Sequence, residues 1–160
     1  HDIPVIPIFV NCYFAPQPTA NRCYQLGKAI RRIIEEYPDN LRVAVIGSGG
    51  LWHTPGVPGS YIDEAFDART LSAVESGDAK AMADHFDAGL PEDVVKSYGD
   101  AAAQSTGGTG MYTGIGSGTG ETRDWIATAG VMDGIPGKII DYVPVYASPC
   151  GMGFASWTEI

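Results

Sequence analysis

Long apolar runs are missing from this chain of 160 residues, and so is any excess of positive charge. No stretch approaches the roughly 18 consecutive apolar residues that carry a helix across a bilayer, and no basic cluster precedes an apolar one at the start. Neither a membrane span nor a signal peptide is expected. Ten basic against nineteen acidic residues give a formal charge of −9. Such a surface repels phosphate backbones and anionic lipid, so nucleic acid and membrane are excluded as expected partners. Cysteine is sparse and odd in number. Cys12, Cys23 and Cys150 show no CxxC spacing, which argues against a disulfide framework or a zinc knuckle and makes a reducing cytoplasm the expected location. Histidine is equally rare, at His1, His53 and His85.

What is present suffices for one domain with a core: 44% of the residues are hydrophobic. The chain opens without a methionine, directly in an apolar run, as a piece of a larger domain would. Ile3 to Val10, "IPVIPIFV", is continuously apolar and β-branched, which predicts a strand buried on both faces. Pro4 and Pro7 each remove a ladder donor and point to an edge or irregular strand. Thr19 can cap a helix in which Cys23, Leu26, Ile30, Ile33, Ile34 and Tyr37 recur at helical spacing until Pro38. Leu41 to Ile46 then predicts a second buried strand, completing a βαβ unit with a parallel pair. The expected fold class is therefore α/β, with a mixed, largely parallel sheet flanked by helices, forming part of a larger α/β domain.

From Asp63 to about Ser105 the text becomes helical and more polar, predicting two or three short surface helices broken at Gly77 and at Gly89 to Pro91. Thr106 to Gly120, "TGGTGMYTGIGSGTG", holds seven glycines in fifteen residues and reads either as a linker or as a loop over a functional site. A helix from about Glu121 to Met132 follows, then "GKIIDYVPVYA" as a strand and "GFASWTEI" as a last one.

Two residues stand out chemically. His53 ends "IGSGGLWH", just past the second expected strand, and ligands in open α/β sheets sit beyond the carboxyl ends of strands. An imidazole there can serve as general acid and base near neutral pH, although a lone histidine in a Gly/Pro-rich loop is more often without a task. Glu121 opens the helix "ETRDWIATAGVM". A carboxylate in a first turn can simply complement the helix dipole, with Thr119 as cap, or it can serve a cation as an oxygen ligand. Weaker signals surround them. Cys12 follows the first strand as a reactive or a merely buried thiol. Trp52, Tyr146 and Trp157 can line an aromatic pocket or pack in the core. His85 falls on a surface helix as a solvated residue. "GIGSGTG" lacks the preceding strand and the following lysine of a phosphate loop, and Ser48 lacks the flanking pattern of a nucleophile elbow.

The runs "IPVIPIFVNCYFAPQPTANRCYQLGKAI", "RVAVIGSGGLWHTPG" with "YIDEAFD", "GTGETRDWIATAG" and "DYVPVYASPCGMGFA" occur in one order over nearly the whole chain. Together they resemble the catalytic subunit of the class III extradiol ring-cleavage dioxygenases, the protocatechuate 4,5-dioxygenase and gallate dioxygenase type. The resemblance covers the C-terminal half of that catalytic domain, with residues 1–160 as a single α/β segment. It implies a non-haem iron enzyme that opens catechol-type rings with dioxygen and works as a homo- or hetero-oligomer. On it, His53 matches the acid/base histidine that stays off the metal, Glu121 matches the iron-binding glutamate, and Trp52 is a candidate substrate contact. It also implies two iron-binding histidines in the part preceding this segment. None of His1, His53 and His85 matches them, so Fe(II) would need a missing N-terminal half or another subunit. A non-catalytic binding or assembly domain of the same fold is the alternative.

Overall fold

The computed structural model describes residues 3–12, 17–53, 61–89 and 120–158. Four helices and one two-stranded sheet are built from them: α1 (Ala20–Glu35), α2 (Glu64–Ser76), α3 (Ala79–Gly89), α4 (Thr122–Val131), β1 (Lys138–Val145) and β2 (Cys150–Ser156). The expected third helix over 91–104, the glycine-rich stretch up to residue 119, Thr119 and His1 lie outside the described residues.

Local chemistry explains each helix start. Thr19 caps α1, its Oγ1 accepting from Arg22 N at 3.1 Å, and Asp63 caps α2 by accepting from Phe66 N at 2.9 Å. Such a cap contributes about 1 kcal/mol by satisfying an otherwise orphaned donor. Gly77 ends α2 in the left-handed region, at φ 71°, where a Cβ would be strained.

The helices converge on one apolar cluster. α1 contributes Ala20 and Cys23, α2 Phe66 and Val74, α3 Met82, Ala83 and Phe86, and α4 Ile126 and Ala129. Burying a side chain such as Phe86 or Met82 stabilises the fold by about 1.5–3 kcal/mol each. α1 and α4 approach closely because glycines face each other. A Cβ on Gly27 would lie 2.2 Å from Ala127 O, and one on Gly130 would lie 2.7 Å from Tyr24 O. Arg123, 3% exposed, ties the start of α4 to the rest: its Nε donates to Pro18 O at 2.8 Å, and its guanidinium lies 4.7 Å from the Phe86 ring centroid.

The chain is a mixture of helix and strand, as expected; among the described residues the sheet is two-stranded and antiparallel, and the expected largely parallel arrangement is not found there. β1 and β2 pair from Lys138↔Ser156 to Val145↔Cys150, with a bulge between Ile139 and Asp141. The strand expected in "GFASWTEI" thus begins earlier, at Cys150. Neither Ile3 to Val10 nor Leu41 to Ile46 enters a ladder among the described residues, so the expected βαβ pair is absent there. Both runs also turn apolar side chains outward where burial was predicted: Ile6 and Ile46 are each 86% exposed and Phe9 is 92% exposed. The physical reason is that a β-branched run encodes a backbone able to pair, whereas the partner must be supplied by another segment. Among the described residues no helix is long and apolar enough to cross a membrane.

Candidate active site

Residues 47–53 link the Leu41–Ile46 run to a wall made by β2 and α4. Backbone bonds run both ways between this segment and β2: Leu51 N donates to Gly151 O at 3.1 Å, and Gly151 N donates to Trp52 O at 2.7 Å. His53 completes the contact as an isolated bridge to Cys150. From the other side α4 grips the same segment, because Trp125 Nε1 donates to Gly49 O at 2.8 Å. Glu121 accepts the Gly50 N–H on Oε2 at 2.7 Å across 71 positions of sequence.

This arrangement brings His53 and Glu121 together. Nε2 of His53 lies 3.6 Å from Oε1 of Glu121, with the side chains 11% and 29% exposed. The other ring nitrogen, Nδ1, is 2.7 Å from Leu51 O. A carbonyl only accepts, so Nδ1 carries a proton and donates it to Leu51 O, and Nε2 is the ring nitrogen that faces the carboxylate. The close glycines are now explained at Gly50, where a Cβ would sit 2.7 Å from His53 Nδ1. Glu121 occupies the N-cap position of α4 and makes no side-chain cap bond; its carboxylate is directed at Gly50 and His53 from the end of the helix where a negative charge also complements the dipole.

Both side chains line a cavity of about 1020 Å³ whose wall includes Val43, Ile46, Trp125, Cys150, Met152 and Trp157. That size is at the upper end of small-molecule sites, about 300–1,000 Å³. Trp52 is elsewhere: it is 5% exposed in the core, stacked near Tyr61 and Phe66, with Nε1 donating to Tyr61 O at 2.9 Å. The aromatic wall of the cavity comes from Trp125, Phe154 and Trp157. Tyr146 is 66% exposed and bonds Glu64. His85, expected to be solvated, is half-buried instead, its ring centroid 4.5 Å from that of Phe66.

Two acidic residues were not singled out from sequence. Asp124 is half-buried beside Gly49, and its Oδ2 is 3.7 Å from Cys12 Sγ. Burial pushes its carboxyl up to about 6; the Cys12 thiol and Arg123 oppose this, and the charge of Glu121 adds to it. Its spacing of three from Glu121 on a helix was the available signal. Cys12 is itself pushed up to about 12, first by burial and then by Asp124, which makes it an inert buried thiol. Asp67 is fully buried in α2 and accepts from Trp52 N and from Tyr142 Oη, both at 2.8 Å. In sequence it stands with Thr70, Leu71 and Val74 on the buried face of the helix, where a carboxylate is conspicuous.

Residues 1–153 match the family described as the catalytic LigB subunit of aromatic ring-opening dioxygenase. The chain belongs to this family. Among curated relatives, gallate dioxygenase of Pseudomonas putida is 47% identical over 51 residues, which is 32% of this chain and 15% of that protein. The 2,3-dihydroxyphenylpropionate/2,3-dihydroxicinnamic acid 1,2-dioxygenase of Mycobacterium ulcerans is 51% identical over 55 residues, 34% of this chain and 17% of that enzyme. The similar enzyme of Photorhabdus laumondii is 44% identical over 55 residues, with the same coverage of 34% and 17%. The LigB-type segment described here thus spans under a fifth of the length of the curated relatives it matches.

Proposed function

We propose that this chain is the part of a non-haem iron(II) extradiol dioxygenase that carries the acid/base group His53 and one metal-binding carboxylate, Glu121, in an enzyme that opens catechol-type rings with dioxygen. The observation that carries this reading is the 3.6 Å approach of His53 Nε2 to Glu121 Oε1 on the wall of one cavity. Family membership and the names of the relatives, which include a gallate dioxygenase, support the substrate class of aromatic diols.

The donor chemistry fits one ligand of the metal. A carboxylate oxygen suits a hard or borderline cation, and the Gly50 N–H holds Oε2 while Oε1 faces His53 Nε2 at 3.6 Å. Among the described residues no group of three or more His, Cys, Asp and Glu is arranged to hold a metal, so the two histidines are assigned to the rest of the protein or to another subunit. The exposed apolar runs at Ile3–Phe9 and Leu41–Ile46 support such a cover, in a homo- or hetero-oligomer. When bound, iron(II) would supply the positions at which diol and dioxygen meet and a path for electrons from the ring to dioxygen.

The chain's own residues handle orientation and protons. The aromatic rings of Trp125 and Trp157 and the side chain of Met152 offer an apolar bed for a flat ring. His53 takes a diol proton at Nε2, because Nδ1 is already committed to Leu51 O, and returns it to an oxygen of the product later in the cycle. The imidazolium formed between these events faces the Glu121 charge. Trp52 serves by packing, since its ring sits in the core and its backbone bonds hold the segment that leads into His53. The three cysteines are free thiols, which fits a cytoplasmic setting.

The test uses the full-length protein. His53→Phe should retain iron and lose most turnover, by about 10²–10⁴-fold for a general acid/base. Glu121→Ala should lose the iron. Metal analysis and oxygen uptake with protocatechuate and gallate measure both, and normal iron in the Glu121 variant would refute the ligand assignment. A wild-type protein that holds no iron and consumes no oxygen would instead support the alternative, an assembly domain of the same fold.

A further inference from the structure

We propose that Asp67 is the positioning residue for His53: its one carboxylate joins α2, β1 and the segment 51–53, and so sets where the imidazole stands in the cavity. The inference rests on the acid/base reading of His53 and adds a residue that neither family membership nor the cavity wall assigns.

Three observations lead there. First, Asp67 is fully buried and each oxygen has a different partner, Oδ1 the Trp52 N–H and Oδ2 the Tyr142 hydroxyl, both at 2.8 Å. A buried carboxylate without partners would be costly, and here both bonds go to groups on other elements. Second, the peptides on either side of the Leu51–Trp52 peptide are already fixed, through Leu51 N to Gly151 O and Gly151 N to Trp52 O. Asp67 therefore takes the Trp52 N–H, which follows the Leu51 carbonyl directly, and that carbonyl receives His53 Nδ1 at 2.7 Å. Rotation of this peptide plane would carry away the acceptor that decides which ring nitrogen bears the proton. Third, the site has no slack. A Cβ on Gly151 would meet Asp67 Oδ2 at 2.1 Å, so β2 passes directly against the carboxylate.

A merely structural aspartate would affect folding alone, whereas a positioning residue affects turnover through His53. Asp67→Asn keeps the volume but offers one acceptor oxygen for two donors. In the full-length protein it should lower kcat by about 10- to 100-fold, the scale of a misplaced catalytic group, while KM and iron content stay within twofold. Tyr142→Phe removes one bond and leaves the Trp52 N–H in place, so it provides a second, milder variant whose kcat falls less. Combined with His53→Phe, Asp67→Asn should cost no further turnover, because the group it positions is gone. Nitrogen-15 spectra of the histidine ring in metal-free full-length protein supply a readout independent of turnover: the proton on Nδ1 of His53 should be partly redistributed to Nε2 in the Asn variant.

Unchanged kcat and an unchanged His53 ring spectrum in folded Asp67→Asn and Tyr142→Phe would overturn the inference even if His53→Phe is inactive. Additive losses in the double variant would overturn it as well. Full activity of His53→Phe would instead sink the acid/base reading on which it rests. If Asp67→Asn fails to fold, the kcat and ring spectrum of Tyr142→Phe decide alone.

Discussion

Replacing Gly50 by alanine tests the geometry of the site with a single methyl group. The new Cβ would sit 2.7 Å from His53 Nδ1 and 2.9 Å from Cε1, against an ordinary contact of 3.4 Å or more. The shortfall of roughly 0.7 Å lies on the steep repulsive side of the contact, so the ring or the backbone must move by about that amount. Movement of the ring stretches its 2.7 Å bond to Leu51 O, and movement of the backbone stretches the 2.7 Å bond from Gly50 N to Glu121 Oε2. Overpacking of this kind costs about 1–3 kcal/mol of stability. Displacement of a catalytic group by about 1 Å costs on the order of 10²-fold in turnover. The expected outcome in full-length protein is a Tm lowered by several degrees, kcat reduced far more than the stability loss alone would explain, and iron content reduced less than kcat. Thermal unfolding, metal analysis and oxygen-uptake kinetics measure the three. A Gly50→Ala protein with wild-type Tm and kcat would show that ring and backbone are not in the contact described.

Two further outcomes bear on the scaffold. Arg123→Leu removes buried bonds to the Pro18 and Gly120 carbonyls and the contact with Phe86, so urea unfolding should show a loss of about 2–4 kcal/mol. Lysine should not restore it, since one ammonium cannot replace the planar fork; full stability of the lysine variant would contradict this. Burial lowers His85 from the ordinary imidazole value of 6.5, so the unfolded chain gains its proton at a higher pH than the folded one. Stability from this residue is whole above 6.5 and is lost as the pH falls below that value. His85→Leu should therefore shrink the drop in Tm between about pH 7.5 and about pH 5.5, and an unchanged drop would count against the burial of this ring.

Much of the local architecture was readable from residue order. The cap Thr19 and the spacing of Cys23, Ile30 and Ile34 placed α1 to within two residues of its end, since a helix is held by bonds and contacts three to four positions apart. The same holds for α2 behind Asp63 and for α4 after Glu121, and the run "GKIIDYVPVYA", expected as a strand, contains β1. His53 and Glu121 drew attention through their places next to a glycine turn and a helix start, and through the family resemblance.

Residue order alone determined which segments could be helix or strand and which chemical groups were available. Tertiary structure decided what meets what: that β1 pairs antiparallel with β2, that Ile3–Phe9 and Leu41–Ile46 present apolar faces outward, and that Trp125, not Trp52, stands on the cavity wall. It also decided that His53 and Glu121 come within 3.6 Å and that Asp67 joins three elements at one buried carboxylate. The difference is one of range. Propensity and capping are settled within a turn of chain, whereas ladder partners and site geometry depend on residues far apart in sequence whose contacts exist only once the core has closed around them.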